Sequence, residues 1–405
     1  MRRVRRRYRA SLRHWAPLDY PGLKLTPRRL LNYALLRWEE GRGRTRLRAS
    51  PLVLVIETGN LCNLRCPACF TGAGQTGRSR SFFPMPLYRS LIKELGDRVL
   101  MVELCNWGEP LLNEHLEEMI ALASEKGAST ITSTHFSVGL DHDRAERLVR
   151  SGLSILGVSL DGATQETYER YRIGGNMSRV LGNVQLVRAA RDRIGARFPR
   201  IVWEYHVFPH NVHEIDAARR LAVEHGMEFS VSKGWVNGPD PLPNGPYEVN
   251  FTGVMPRCRF LWQRAVVHNE GGIAPCDGCF HREDDFGSMT LEPGISSSEL
   301  ASNSFREVWN NSSFVAARQL FRDAGHGAAR DLICASCPVT SMWHGYRNHV
   351  ARGLPAETYD PNFTENDGHN FFVSRSRALK GVELPLYDEA PHTLGSPTST
   401  SAGLH

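Results

Sequence analysis

The sequence predicts an α/β fold: a partial (β/α)6 TIM-like barrel followed by a small, cysteine-rich C-terminal domain. Three observations carry this. From about residue 52, short β-branched or apolar runs alternate with amphipathic stretches, six times over. Such alternation builds parallel β/α units that close, or partly close, into a barrel. After about residue 235 the texture changes, and five of the nine cysteines fall within residues 250–345. A chain of 405 residues is also long enough for two or three cores.

The strands are expected at 52–57 (LVLVIE), 99–105 (VLMVELC), 129–133 (STITS), 155–160 (ILGVSL), 200–208 (RIVWEYHVF) and 227–232 (MEFSVS). Between them, Leu116, Met119, Ile120 and Ala123 share one helical face. Asp143 with Glu146 reads as a capping pair, and 176–194 as a long helix. GWVNGPDPLPNGPYEVN reads as a linker. Beyond it RAVVH, NEGG and IAP form a hairpin pattern, and Ser304 with Glu307 has capping-box spacing. The expected division is a basic arm (1–50), a barrel (51–235), a cysteine-rich domain (236–345) and an extension with a disordered tail (346–405).

No apolar run approaches the roughly 20 residues of a membrane span. An odd cysteine count without a signal peptide argues against a secreted disulfide scaffold, so a cytoplasmic location with thiols kept for metal is expected. The net charge of +6 conceals an asymmetry: residues 1–50 hold fifteen Lys and Arg against three Asp and Glu. Such an arm suits anionic lipid, nucleic acid or an acidic partner, or docks on the body as a leader segment. No nucleic-acid module accompanies it, which argues against nucleic acid as the partner.

Cys62, Cys66 and Cys69 follow the first strand with C-x3-C-x2-C spacing on a loop. Three thiolates can hold three irons of a four-iron cluster, leaving the fourth open to a small molecule. A zinc site completed by a distant His or Cys has similar spacing. The loop CNLRCPAC after a first strand resembles the radical S-adenosylmethionine (SAM) superfamily; Ala68 stands where that family usually has an aromatic residue, and Phe70 follows the third cysteine instead. The resemblance continues in order and covers roughly residues 50–345. It implies that the turn of Gly108, Glu109 and Pro110 holds the SAM amino group. It implies that hydroxyls among Thr132, Ser133 and Thr134, beside His135, bind ribose. Ser159 would contact the ribose or the carboxylate of SAM, and Arg172 would pair with the carboxylate. Asp161 has the alternative of capping the next turn, and the NVHE turn (211–214) is read as structural.

Cys258, Cys276, Cys279, Cys334 and Cys337 form the second group. A cysteine, a dozen residues, Gly271, four residues and Cys276, then a C-x2-C pair, resemble the SPASM/twitch pattern. That resemblance implies one auxiliary 4Fe–4S cluster on Cys258, Cys276, Cys334 and Cys337, so two clusters in all. Cys279 is an alternative ligand, in an arrangement that also fits a zinc ribbon, or a hydrogen-donating thiol. Cys105 is its rival as donor, with a plain buried residue as the alternative reading.

The family resemblance implies an oxidoreductase that reductively cleaves SAM to a 5′-deoxyadenosyl radical and takes hydrogen from a substrate. A flavodoxin- or ferredoxin-type reductant would supply the electron. The auxiliary cluster as electron acceptor gives oxidation, and a thiol donor gives epimerisation. With about 50 residues before the first strand, a small molecule such as a sugar or aminocyclitol is expected, with a peptide as the other class. The remaining alternative is a non-catalytic iron–sulfur or zinc scaffold that binds nucleic acid through the basic arm.

Overall fold

The apolar runs become strands and the amphipathic stretches become helices. The computed structural model describes residues 18–74, 77–234, 258, 260–290, 304–322 and 332–336. In chain order these form α1 (Pro27–Gly41), β1 (Val53–Ile56), α2 (Met85–Leu95), β2 (Met101–Glu103), α3 (Leu116–Glu125), β3 (Ser129–Thr134), α4 (His142–Arg150), β4 (Ile155–Ser159), α5 (Gln165–Tyr171), α6 (Met177–Ile194), β5 (Arg200–Val207), α7 (Ile215–Glu224) and β6 (Glu228–Lys233). The second region adds α8 (Phe260–Gln263), β7 (Arg264–Val267), β8 (Gly272–Ala274), β9 (Gly287–Ser288), α9 (Phe305–Trp309) and α10 (Ser312–Arg322). The basic run at the N-terminus, most of the linker, Cys337 and the C-terminal extension lie outside the described residues.

The strands form one sheet in the order β6-β5-β4-β3-β2-β1-β7-β8-β9. β1 to β6 are parallel, and neighbours in sequence are neighbours in space. β7 lies beside β1, also parallel, where a closed barrel would have brought β6. The result is a partial (β/α)6 barrel. β1 and β4 are buried at every position, as parallel strands covered on both faces should be. On β5, Trp203 and Tyr205 meet the ring of Phe229, over which Arg219 of α7 sits. Odd positions therefore face the helices. Glu204 and His206 face the lumen, in register with Ser159 and its neighbours.

The predicted hairpin forms between β7 and β8, and its first strand joins the barrel sheet directly. Gly271 has a φ of +85°, and a Cβ there would come within 2.2 Å of the Met289 carbonyl oxygen. That turn explains the glycine of the cysteine pattern. Ser304 and Glu307 form the expected capping box. The capping pair expected at Asp143 does not form. Asp141 caps α4 instead, accepting from the Arg144 N–H at 2.7 Å, because its extended backbone sits one residue before the first turn. Glu146 pairs with Arg150 one turn on. The described part of the N-terminal region docks on the body. Buried Arg29 of α1 donates to the carbonyls of Val99, Gly96 and Lys126, in the loops beneath the barrel.

Candidate active site

The loop after β1 carries Cys62, Cys66 and Cys69 at the mouth of the barrel. Leu64, Cys66, Tyr171 and Phe208 form a small apolar cluster, against which Cys62, Ala68 and Cys69 pack. Burial pushes the Cys62 thiol up to about 11 and Cys66 to about 12, and Cys69 rises for the same reason. The Arg172 guanidinium opposes that rise at each of the three. A group that binds these sulfurs displaces their protons.

Two turns clamp this loop. The Glu109 N–H donates to Leu61 O at 2.8 Å. A Cβ on Gly108 would lie 1.9 Å from the Gly59 carbonyl oxygen, so only glycine lets the backbones approach this closely. On the other side, Arg65 N donates to Ile173 O at 3.1 Å, just beyond Arg172. The chain thus brings Gly108, Glu109, Pro110 and Arg172 to the cysteine loop, although they are far apart in sequence.

The Glu109 carboxylate is already engaged. It accepts from Leu111 N at 3.0 Å, Thr134 Oγ1 at 2.6 Å and His135 N at 3.1 Å. His135 Nδ1 accepts from Ser137 N at 2.9 Å, so Nε2 carries the ring hydrogen. That nitrogen lies 3.0 Å from Glu109 Oε2 and 3.1 Å from Asn63 Oδ1. Burial holds His135 below its ordinary range. Glu109 therefore braces the end of β3, and His135 passes the brace to the cysteine loop through Asn63.

Arg172 donates through Nε to Asp161 Oδ2 at 2.6 Å, and its two Nη groups make no hydrogen bond among the described residues. Asp161 does not cap the next turn; Thr164 caps α5. Burial would raise the Asp161 carboxyl, but Arg172 and then His206 outweigh it and hold it at about 2. Ser133 and Ser159 lie 3.3 Å apart, and both donate to Glu204 Oε2.

Residues 56–222 match the family described as the radical SAM superfamily, and residues 258–338 match the SPASM iron–sulfur cluster-binding domain. The chain belongs to the radical SAM superfamily. Its radical SAM core and SPASM domain imply SAM and iron–sulfur clusters as cofactors, and the buried thiols beside an arginine fit that chemistry. Among relatives, Fe-coproporphyrin III synthase of Methanosarcina barkeri is 31% identical over 147 residues, 36% of each chain. Mycofactocin maturase MftC of Mycobacterium tuberculosis is 24% identical over 347 residues, 79% of this chain and 84% of the relative. The matches to the synthase and to the Mycobacterium ulcerans maturase span less than half of those relatives, 36% and 47%. The structure of Streptococcus suis SuiB bound to S-adenosylmethionine is 17% identical with a TM-score of 0.49, covering 71% of each chain.

In the SPASM region Cys276 and Cys279 lie with their sulfurs 3.8 Å apart; Cys279 and Cys334 are buried, and Cys258 is half-buried. Among the described residues no three of His, Cys, Asp and Glu converge as a single metal ion requires. An aromatic group joins the two cysteine regions. Phe70, next to Cys69, stacks on Phe280, next to Cys279, at 4.8 Å, and Trp107 meets both rings edge-on. The Trp107 indole N–H donates to Cys279 O at 3.0 Å. Arg78 donates to the carbonyls of Phe280 and His281 and forks onto Asp285. Cys105 is buried beyond β2, two residues from Trp107. Sequence reasoning missed Glu204, the aromatic bridge and the Arg78 clamp. A glutamate inside the apolar run RIVWEYHV was the available signal for the first. Tertiary contacts between distant segments leave no comparable mark.

No described helix is long and apolar enough to cross a membrane.

Proposed function

We propose that the chain is a radical SAM oxidoreductase acting on a small molecule, a sugar, aminocyclitol or similar compound, in the barrel lumen. The observation that carries the reading is the convergence on one cysteine loop of the Gly108 turn and the Arg172 guanidinium. Cys62, Cys66 and Cys69 would hold an open four-iron cluster. When bound with SAM, that cluster supplies one electron to the sulfonium and so a 5′-deoxyadenosyl radical able to take hydrogen from carbon.

The chain's own groups bind and shield. Asp161 fixes Arg172 through Nε, which leaves the two Nη groups as a fork for the SAM carboxylate. With the Glu109 carboxylate engaged and the carbonyls of Glu109 and Pro110 accepting from Leu112 N and Asn113 N, the Gly108 carbonyl is the group of this turn left to accept from the SAM ammonium. Ser133 and Ser159 offer hydroxyls for ribose. Cys258, Cys276, Cys334 and Cys337 would hold the auxiliary cluster. The close approach of Cys279 to Cys276, and the aromatic rings beside it, favour Cys279 as an alternative ligand over a hydrogen donor. Phe70, Trp107 and Phe280 seal the seam between the two regions and keep water from the radical. A flavodoxin- or ferredoxin-type protein is the reductant.

The longest match reported above is to a maturase, which favours a second reading in which a peptide enters the same lumen. The test is anaerobic reconstitution followed by dithionite and SAM. Release of 5′-deoxyadenosine by the wild type and none by Cys62→Ala is expected; equal release by both would refute the assignment. Product formed in heavy water separates the outcomes, since solvent deuterium retained at carbon means epimerisation by a thiol donor and its absence means oxidation.

A further inference from the structure

Glu204 differs from the other carboxylates around the lumen. Glu57 is matched by His268, Glu103 by Arg264, and Asp161 by Arg172 and His206. Glu109 faces a neutral His135, but both of its oxygens already accept hydrogen bonds. Among the described residues no cation pairs with Glu204. Its contacts are the hydroxyls of Ser133 and Ser159, and both turn to Oε2. Oε1 accepts no hydrogen bond among the described residues. Beneath the carboxylate lies Gly157 of β4, where a Cβ would come 2.7 Å from the Glu204 carboxyl carbon. The seat exists because β4 has no side chain there. Glu204 is half-buried, so a ligand in the lumen can reach the open oxygen.

A carboxylate partly withdrawn from water is costly unless its charge is met. Two hydroxyls supply hydrogen bonds without charge, whereas an ammonium supplies both. We propose that Glu204, steadied by Ser133 and Ser159 over Gly157, anchors a protonated primary amine of the substrate. The proposal rests on the radical SAM reading above and narrows its substrate class to amine-bearing small molecules, such as aminocyclitols or amino sugars. It also sorts the two uses the sequence leaves for Ser159. Beside a carboxylate, the SAM carboxylate would meet like charge, whereas ribose hydroxyls would not.

The test titrates matched ligands into the reconstituted full-length chain with SAM bound: streptamine against scyllo-inositol, and glucosamine against glucose, read by calorimetry. In at least one pair the amine should bind wild type about tenfold or more tighter, the scale of a charge-assisted hydrogen bond. Glu204→Gln should bring that ratio to within about twofold, while Glu204→Asp, which keeps the charge, retains part of it and guards against general misfolding. SAM affinity should be the same in wild type and Glu204→Gln. Absence of amine preference in both pairs, or a preference surviving in Glu204→Gln, would overturn the proposal. So would a matching loss of SAM affinity, which would assign the carboxylate to the nucleoside ribose. A wild type that binds no SAM fails earlier, at the radical SAM reading, and takes the amine anchor with it.

Discussion

At the mouth of the barrel three thiols are carried by eight consecutive residues, whereas the described cysteines of the second region, Cys258, Cys276, Cys279 and Cys334, are drawn from a span of 77 residues. The first group needs one loop held in shape, and two turns hold it: Gly108 against Gly59 and Arg65 against Ile173. The second needs distant segments docked together. Arg78 ties the loop after the first thiols to residues 280–285. Arg318, fully buried, ties α10 to Leu261, Trp309 and Thr45 through their carbonyls and stacks 4.4 Å over Trp309. Burial pulls that guanidinium down to about 9. A local metal loop tolerates changes elsewhere, while a dispersed one depends on buried cationic ties whose removal leaves uncompensated groups behind.

The largest expected effect separates the two groups outright. Cys62→Ala should stop 5′-deoxyadenosine release and leave about four of about eight irons per chain on the two-cluster assignment. Cys276→Ala should lose a similar share of iron yet still cleave SAM. Iron analysis with product chromatography reads both, and loss of cleavage in Cys276→Ala would show that the groups are not separable.

Next is Arg78→Ala, which strands Asp285 and the carbonyls of Phe280 and His281. A loss of about 3–5 kcal/mol in urea unfolding is expected, with early proteolytic cleavage in the second region. Uniform protection of both regions would mean that the clamp does not dock them.

Gly108→Ala acts on the first group instead. Overpacking of about 1–3 kcal/mol should appear in denaturant melts, because a carbonyl oxygen at 1.9 Å cannot rotate away as a side chain can. Iron loading should fall at the SAM site before the SPASM site.

The smallest effect is one of pH. Asp161 is held at about 2, below its unfolded value of roughly 3.9, so its contribution is complete above that value and is lost as pH falls from about 4 to 2. It amounts to about 2–3 kcal/mol, its pH dependence felt only in that acid window. Asp161→Asn should flatten the acid limb of the stability profile in that window and leave the neutral limb parallel to wild type.

The six strands, the long helix at 177–194, the hairpin and the Ser304 cap were legible because periodicity and capping act within a few residues. The capping pair placed at Asp143 missed because two nearby aspartates compete, and only backbone geometry chooses Asp141. Cys62, Cys66 and Cys69 could be singled out for the same local reason, with their placement after a strand. Glu109 and Asp161 were recognisable as members of turns, but their partners were not. One carboxylate is filled by β3 and its following loop, the other by residues 11 and 45 positions away.

From its amino acids alone, this chain already dictates which residues are thiols, how closely they follow one another and which stretches bury a face. Those properties are one-dimensional: spacing, polarity and period. The stack of Phe70 on Phe280, the Arg78–Asp285 clamp and the seat of Glu204 over Gly157 arise when strands far apart in sequence settle into register. Register is set by the packing of the whole sheet, and a single residue of slip turns every inward side chain outward. The same glutamate could have met solvent, a helix or an arginine, and the folded barrel left it facing two serines and an open lumen.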